Sequence, residues 1–413
     1  MRALLLLLAI LVLPMAFAAE PEAKPGKQRA PRPDHFALVF SFGYGDDLMP
    51  TDAKRFGTLL EKVREAGFNT VHARYSQMRL DECRKHKIKL MVDLLDPEYH
   101  VYKAPEKAKA LCEKLRNDSA VWGYNVWNDV YRKTTPGRLR DIENVRQWDP
   151  THPAYSGTYR TDGMRGLTHP DIFGYYDFHW KRGLNQHFPH LLAYRAWAIE
   201  RDARFYSWMA VTSGIAGKGN RNRSMWSAHT AIACGQKGIL WFLGQEMMDP
   251  KTLKWNAAGE DIAAVNRSIA PLAEELARLG NPTAVYSTTV TRTANNDPVP
   301  GEAKSALPSG LEKNAFPADF WVQPAGGEWL AGVYENEAKK GGKGSHSVLY
   351  LANHNAYVAQ EAKLKIQGRS LERFDADSRT WKRILSKDDV FLVPLEPGGG
   401  ALLRSERLAP KKD

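Results

Sequence analysis

From residue 35 to about residue 280, short apolar, β-rich runs alternate with longer segments whose apolar positions recur at helical spacing. This pattern predicts eight strands, over residues 37–43, 68–74, 88–95, 121–127, 153–157, 171–179, 204–211 and 237–243. Most are near-continuous apolar runs, as expected of strands buried on both faces. Helices are predicted over 51–66, 77–86, 105–117, 136–148, 188–202 and 221–234, with a last one over 257–279 after the eighth strand. Thr51-Asp52 and Thr135-Pro136 supply fitting helix starts. Helical periodicity is weak after the fifth strand. Eight such units in roughly 250 residues match the number and size of a (β/α)8 TIM barrel. A doubly wound open sheet usually has fewer strands and often a phosphate loop after the first, which is absent here.

Beyond Asn281-Pro282 the helical period disappears, and short alternating runs separated by Gly, Pro, Asn and Asp clusters follow. That is the signature of an antiparallel β-sandwich. Residues 295–314, rich in Pro, Ala, Gly and Ser, read as a long loop. The predicted organisation is a barrel over 35–281, a sandwich over 282–408 and a Lys-rich tail over 409–413.

At the start, Arg2, the apolar run 4–12 and Ala16-Phe17-Ala18 read as a secretory signal over residues 1–18. The apolar run is shorter than the ~20 residues of a membrane span. A flexible lead-in over 19–34 follows, and the expectation is export to a periplasmic or extracellular compartment. With 43% hydrophobic residues the chain has enough apolar side chains for a globular core, which excludes disorder. The excess of 58 Lys and Arg over 47 Asp and Glu favours anionic partners in general. No nucleic-acid module, P-loop or paired Cys/His metal spacing occurs, so neither cofactor nor metal is implied. Three Cys make no disulfide scaffold, and an odd number leaves at least one thiol free. Cys112 and Cys234 lie in patterns that suit buried small apolar residues.

In a TIM barrel the chemistry sits at the C-terminal ends of the strands. Here those ends carry Ser41 and Tyr44; His72 and Arg74; Asp93; Asn128 and Asp129; Tyr176, Asp177, His179 and Trp180; Trp208; and Trp241, Gln245 and Glu246. Carboxylates recur there, accompanied by aromatics. Sugar rings present C–H faces that stack on aromatic side chains, and hydroxyls that pair with carboxylates, amides and Arg. A carbohydrate therefore suits this mouth, with Tyr44, Trp180 and Trp241 as stacking candidates and Asn128, Asp93, His72, Arg74, Tyr176 and His179 as further binding candidates. Asp93 has a second reading, an ion pair with Arg74. The basic Lys218, Arg221 and Arg223 after the seventh strand could meet an acidic polysaccharide. Cleaving a glycosidic bond needs two carboxyl groups flanking it, ~5–5.5 Å apart for retention and ~6.5–9.5 Å for inversion.

The run from Asn117 to Asp129 (NDSAVWGYNVWND) resembles the fourth-strand segment of (β/α)8 glycoside hydrolases of the retaining type, which ends in Asn-Glu-Pro or Asp-Glu-Pro. Phrases at 171–179 and 234–242 resemble other barrel strands of the same enzymes, and 395–403 resembles the last strands of their accessory β-sandwich. The resemblance implies hydrolysis of a poly- or oligosaccharide, with Asp129 standing where those families place the Glu acid/base. It also implies a nucleophilic Glu at the seventh strand end, where this chain reads YSWMAVT. Glu246 or Asp177 would then supply the second carboxylate. The alternative is a catalytically inactive glycan-binding protein on the same barrel.

Overall fold

The computed structural model describes residues 33–43, 48–128, 135–158, 166–167, 171–177, 186–210, 221–291, 305–335, 347–366 and 368–407. Outside them lie the expected signal, all but the last residues of the lead-in, Tyr44, Asp129, His179, Trp180, Lys218 and the tail. So does most of the weakly periodic segment after the fifth strand.

Eight parallel strands form a closed barrel: β1 (Ala37–Phe40), β2 (Thr70–Ala73), β3 (Lys89–Asp93), β4 (Val121–Trp127), β5 (Ala154–Thr158), β6 (Ile172–Asp177), β7 (Arg204–Ala210) and β8 (Gly238–Phe242). Closure is made by β8 on β1, with Ala37 opposite Gly238 and Phe40 opposite Trp241. Helices α1 (Ala53–Glu65), α2 (Gln77–His86), α3 (Pro105–Leu115), α4 (Thr135–Trp148), α5 (His187–Glu200), α6 (Arg221–Ala233) and α7 (Ala257–Ile269) intervene or follow. The Asp52 carboxylate accepts the Arg55 amide at 2.9 Å and caps α1, and Ser76 caps α2 in the same way. The long helix expected over 257–279 is broken instead. Pro271 has no amide to donate, and a 3-10 turn (Ala270–Leu272) separates α7 from α8 (Ala273–Arg278).

Alternate strand residues face two different cores. Leu38, Phe40, Val92, Tyr124, Phe205, Ile239 and Trp241 point outward and join the large cluster beneath the helices. Val39, Met91, Trp122, Tyr155, Tyr206, Trp208, Leu240 and Phe242 fill the barrel itself. This inner plug is aromatic. Trp208 sits 5.3 Å from Tyr176 and 5.0 Å from Phe242, ring centre to ring centre, and Trp122 meets Tyr206 at 5.4 Å. Rings of this size fit because two strand positions have no side chain. A Cβ on Gly174 would overlap the Tyr155 phenol, and one on Gly238 would overlap the Tyr206 ring.

The described strands of the C-terminal region pair antiparallel. Strands β9 (Ala284–Ser287), β13 (Trp329–Glu335), β14 (Ser347–Asn353), β16 (Arg369–Asp375), β17 (Thr380–Ile384) and β19 (Gly400–Arg407) make a six-stranded sheet in the order β17-β16-β19-β14-β13-β9. Strands β12 (Val322–Gly326), β15 (Gln360–Ile366) and β18 (Val390–Leu395) make a three-stranded one. Trp329, Leu349, Leu351, Leu364, Val393 and Leu403 pack between the two sheets. The other face of the larger sheet lies on α6, where the Tyr334 hydroxyl donates to the Ile232 carbonyl at 2.6 Å and the Trp226 indole donates to the His354 carbonyl at 2.9 Å. The six-stranded sheet is thus a middle layer between barrel and outer sheet. Part of the expected loop over 295–314 is ordered as β11 (Ser305–Ala306), which pairs with β10 (Val290–Thr291). All three Cys are free and buried, and burial pushes the Cys83 and Cys234 thiols up to about 12.

The plug makes a prediction. Gly174→Ala should lower unfolding free energy by about 3 kcal/mol, the upper range for overpacking a tight core, as read from a urea midpoint shift at unchanged slope. A loss below about 0.5 kcal/mol would show that Tyr155 moves aside freely.

Candidate functional site

The C-terminal ends of β1 to β4 carry a continuous chain of polar groups. Ser41 follows β1, His72 lies on β2, Asp93 ends β3, and Asn125 sits within β4. The Asn125 amide nitrogen donates to Asp93 Oδ1 at 3.0 Å and faces His72 Nε2 at 3.2 Å. Nε2 also lies 3.7 Å from Asp93 Oδ1, and Nδ1 shares a 3.0 Å bond with Ser41 Oγ. Ser41 Oγ also accepts the Gly43 amide at 3.1 Å. Beneath the chain, the His72 ring meets Trp208 edge-on with centres 6.3 Å apart, so the polar layer rests on the aromatic plug.

Asp93 is the charged member. Burial alone would raise its pKa, but His72, the Leu95 amide at 3.1 Å and the Asn125 amide outweigh it and hold the carboxyl below its usual value. It is therefore ionised at neutral pH, with its side chain 21% exposed. The Arg74 guanidinium does not pair with it; Nε instead approaches Asp96 Oδ1 at 4.0 Å. Phe42, Gly43, Met49, His72, Arg74 and Asp93 surround a recess of about 10 Å³. That is room for about one water, or for one hydroxyl group.

On the neighbouring strand end, Gly43 (φ +99°) packs against the end of β8, where a Cβ would lie 3.3 Å from the Phe242 ring and from Leu243. This joins the first strand end to Gln245 and Glu246, which lie on a 3-10 turn (Gly244–Glu246). Glu246 is partly exposed, and burial pushes its pKa up. Three amide oxygens at strand ends or just beyond them, Asn125 Oδ1, Asn128 Oδ1 and Gln245 Oε1, have no hydrogen-bond partner among the described residues.

The other sequence candidates fall in different places. Trp241 is fully buried on the outward side of β8, where its indole donates to Asn266 Oδ1 at 2.7 Å. The expectation that it stacks on a ligand is corrected, because strand alternation turns it under the helices. Tyr176 is 7% exposed and packs on Trp208 inside the barrel, so it forms part of the floor. Trp127 donates to Asp141 Oδ2 at 3.0 Å, with the Arg138 guanidinium over its ring. Asp177 closes β6 opposite Met209 of β7, which ends in Trp208, Met209 and Ala210 without a carboxylate. Arg223 donates to the Tyr357 hydroxyl at 2.8 Å and so joins barrel to sandwich. Asn125 was missed by strand-end reasoning. Its signal was a lone amide in the otherwise apolar strand VWGYNVW. No group of three His, Cys, Asp or Glu gathers as metal ligands among the described residues, and no described helix is long and apolar enough to cross a membrane.

No family model and no curated protein matches the chain. Solved structures do. A glycoside hydrolase family 5 protein from Bacteroides vulgatus superposes with a TM-score of 0.51 at 10% identity, over 91% of this chain and 90% of that one. An alpha-amylase from Anoxybacillus gives 0.47 at 11% identity, over 91% and 98%. The cellulose synthase subunit Z of Clostridioides difficile gives 0.41 at 13% identity, over 56% and 99%. The barrel with its C-terminal sandwich is thus a glycoside hydrolase-like fold, reached at very low sequence identity.

Asp93→Ala should remove acceptors from the Leu95 and Asn125 amides and cost about 1–3 kcal/mol at pH 7. Because the folded-state pKa is depressed, this stabilisation is present above the unfolded value of about 3.9 and disappears as pH falls through the folded one. The gap between the two proteins' stabilities should therefore begin to narrow at about pH 3.9 and close as pH falls through the folded-state pKa. A gap that stays constant to pH 2 would contradict the ionised assignment.

Proposed function

We propose that the chain is an exported protein that binds a poly- or oligosaccharide at the barrel mouth and hydrolyses a glycosidic bond there. The observation that carries this reading is the polar chain from Ser41 to Asp93, set at the strand ends above an aromatic floor. It offers an ionised carboxylate and a hydroxyl-sized recess, which are the contacts that a sugar hydroxyl needs. The fold shared with a family 5 glycoside hydrolase supports it, and the signal-like segment 1–18 supports export.

In this mechanism Asp129 donates a proton to the leaving oxygen, and Glu246 or Asp177 acts as nucleophile or activates water. Asp93, held ionised, binds a hydroxyl and keeps His72 oriented. Glu246 has its pKa pushed up while that of Asp93 is held down. A raised pKa suits Glu246 to taking a proton from an attacking water, and a depressed one suits Asp93 to holding a hydroxyl. One observation favours a second reading, a glycan-binding protein without hydrolysis: β7 ends without a carboxylate.

A panel of polysaccharides, assayed for both binding and release of reducing ends, separates the two. Hydrolysis predicts release from one polysaccharide class, with Asp129→Asn lowering the rate about 100-fold or more, the usual weight of general acid catalysis. Binding without release in the wild type would establish the second reading. Neither binding nor release across neutral and acidic polysaccharides would overturn the carbohydrate assignment.

A further inference from the structure

A cavity of about 730 Å³ lies where α6 and α7 of the barrel meet β16, β17 and the turn between β18 and β19. Ligand cavities commonly have this volume and commonly lie between domains. Its walls mix three kinds of group. Leu272 and Phe374 supply apolar surface, and both are buried. Asn222, Asp377 and Glu396 supply amide and carboxylate groups. Arg373 supplies a guanidinium, with Arg221, Lys382 and Arg383 also at the walls.

Arg373 is the informative one. It is half-buried on β16, and no hydrogen bond or close ion pair holds it among the described residues, although the charges of Asp375 and Glu396 reach it. The neighbouring Asp375 is already engaged, accepting from Lys382 Nζ at 2.8 Å and from the Ser378 amide at 2.8 Å. A partly desolvated cation with five donors and no acceptor costs stability. A planar fork of this kind matches a carboxylate. The carboxylates of Asp377 and Glu396 cannot serve the same anion. They suit hydroxyl groups, and the apolar surface suits C–H faces. One ligand class meets all three demands: a polyhydroxylated acid with a ring or chain of C–H groups between its carboxylate and its hydroxyls.

We propose that this junction cavity is a second ligand site, which takes a sugar acid, with Arg373 on the carboxylate and Glu396 and Asp377 on the hydroxyls. The site shares no lining residue with the recess at the mouth, and it gives the chain a means of holding an acidic saccharide whether or not the mouth cleaves one.

The test is titration calorimetry of the full chain at low salt with D-glucuronate, beside D-glucose and sodium sulfate as probes. Saturable glucuronate binding is expected, with glucose and sulfate each at least about tenfold weaker. Arg373→Gln should weaken glucuronate at least about tenfold, and Arg373→Lys by less. Glu396→Gln, at an exposed turn and thus benign for folding, should weaken it about threefold. Reducing-end release at the mouth, or its absence, should be the same in Arg373→Gln as in the wild type, so this proposal and the reading of the mouth succeed or fail separately. No saturable glucuronate binding, or equal affinity in Arg373→Gln and Glu396→Gln, overturns the proposal. Sulfate binding as tightly as glucuronate overturns the sugar part, and glucose doing so overturns the acid part.

Discussion

Trp208 in the barrel interior is the contact on which the rest of the mouth depends. It touches Tyr155, Tyr176 and Phe242 within the plug and carries the His72 ring on its upper edge. The plug closes the barrel to water from below, so the hydrogen bonds of His72, Asn125 and Asp93 form in a medium where they are stronger than at an open surface. The same dryness makes each unsatisfied partner costly. An ionised Asp93 is tolerable there because the Leu95 and Asn125 amides donate to it and His72 lies beside it. The glycines at 174 and 238 are the sequence's concession to this packing, since a methyl group at either would displace a tyrosine.

Much of the architecture was legible in the chain. Near-continuous apolar runs announced buried parallel strands, and eight of them left little choice but a closed barrel. The largest error in the barrel came at Pro271, where periodicity ran on although the backbone could not donate. The site was less legible. Strand-end position drew attention to His72 and Asp93, which the structure joins through Asn125, and to Glu246. It misplaced Trp241, because a strand's last residues alternate between mouth and helix layer, and one position of register decides which. It passed over Asn125, which lies inside a strand, yet that amide bridges His72 and Asp93. A family-like phrase can locate a strand, but only the alternation along it says which side chains reach the mouth.

The sandwich is tied to the barrel by buried polar contacts as well as by apolar area. Tyr334 and Trp226 donate across the joint to carbonyls, and His229 shares a 2.6 Å bond with the Tyr350 hydroxyl. Burial pushes the pKa of His229 down to about 3, so it stays neutral at every ordinary pH and acts as a structural linker. Such bonds fix the angle between the layers. They also leave a space beside α6 that the two layers do not fill, and that space holds the half-buried Arg373.

The most direct measurement of the central claim is a crystal structure of the chain with an oligosaccharide bound. The account predicts a sugar at the strand ends, with one hydroxyl in the recess at ~2.7–3.1 Å from Asp93 and its ring above Trp208 and His72. A sugar that leaves this recess empty and makes all its contacts elsewhere on the protein would contradict it.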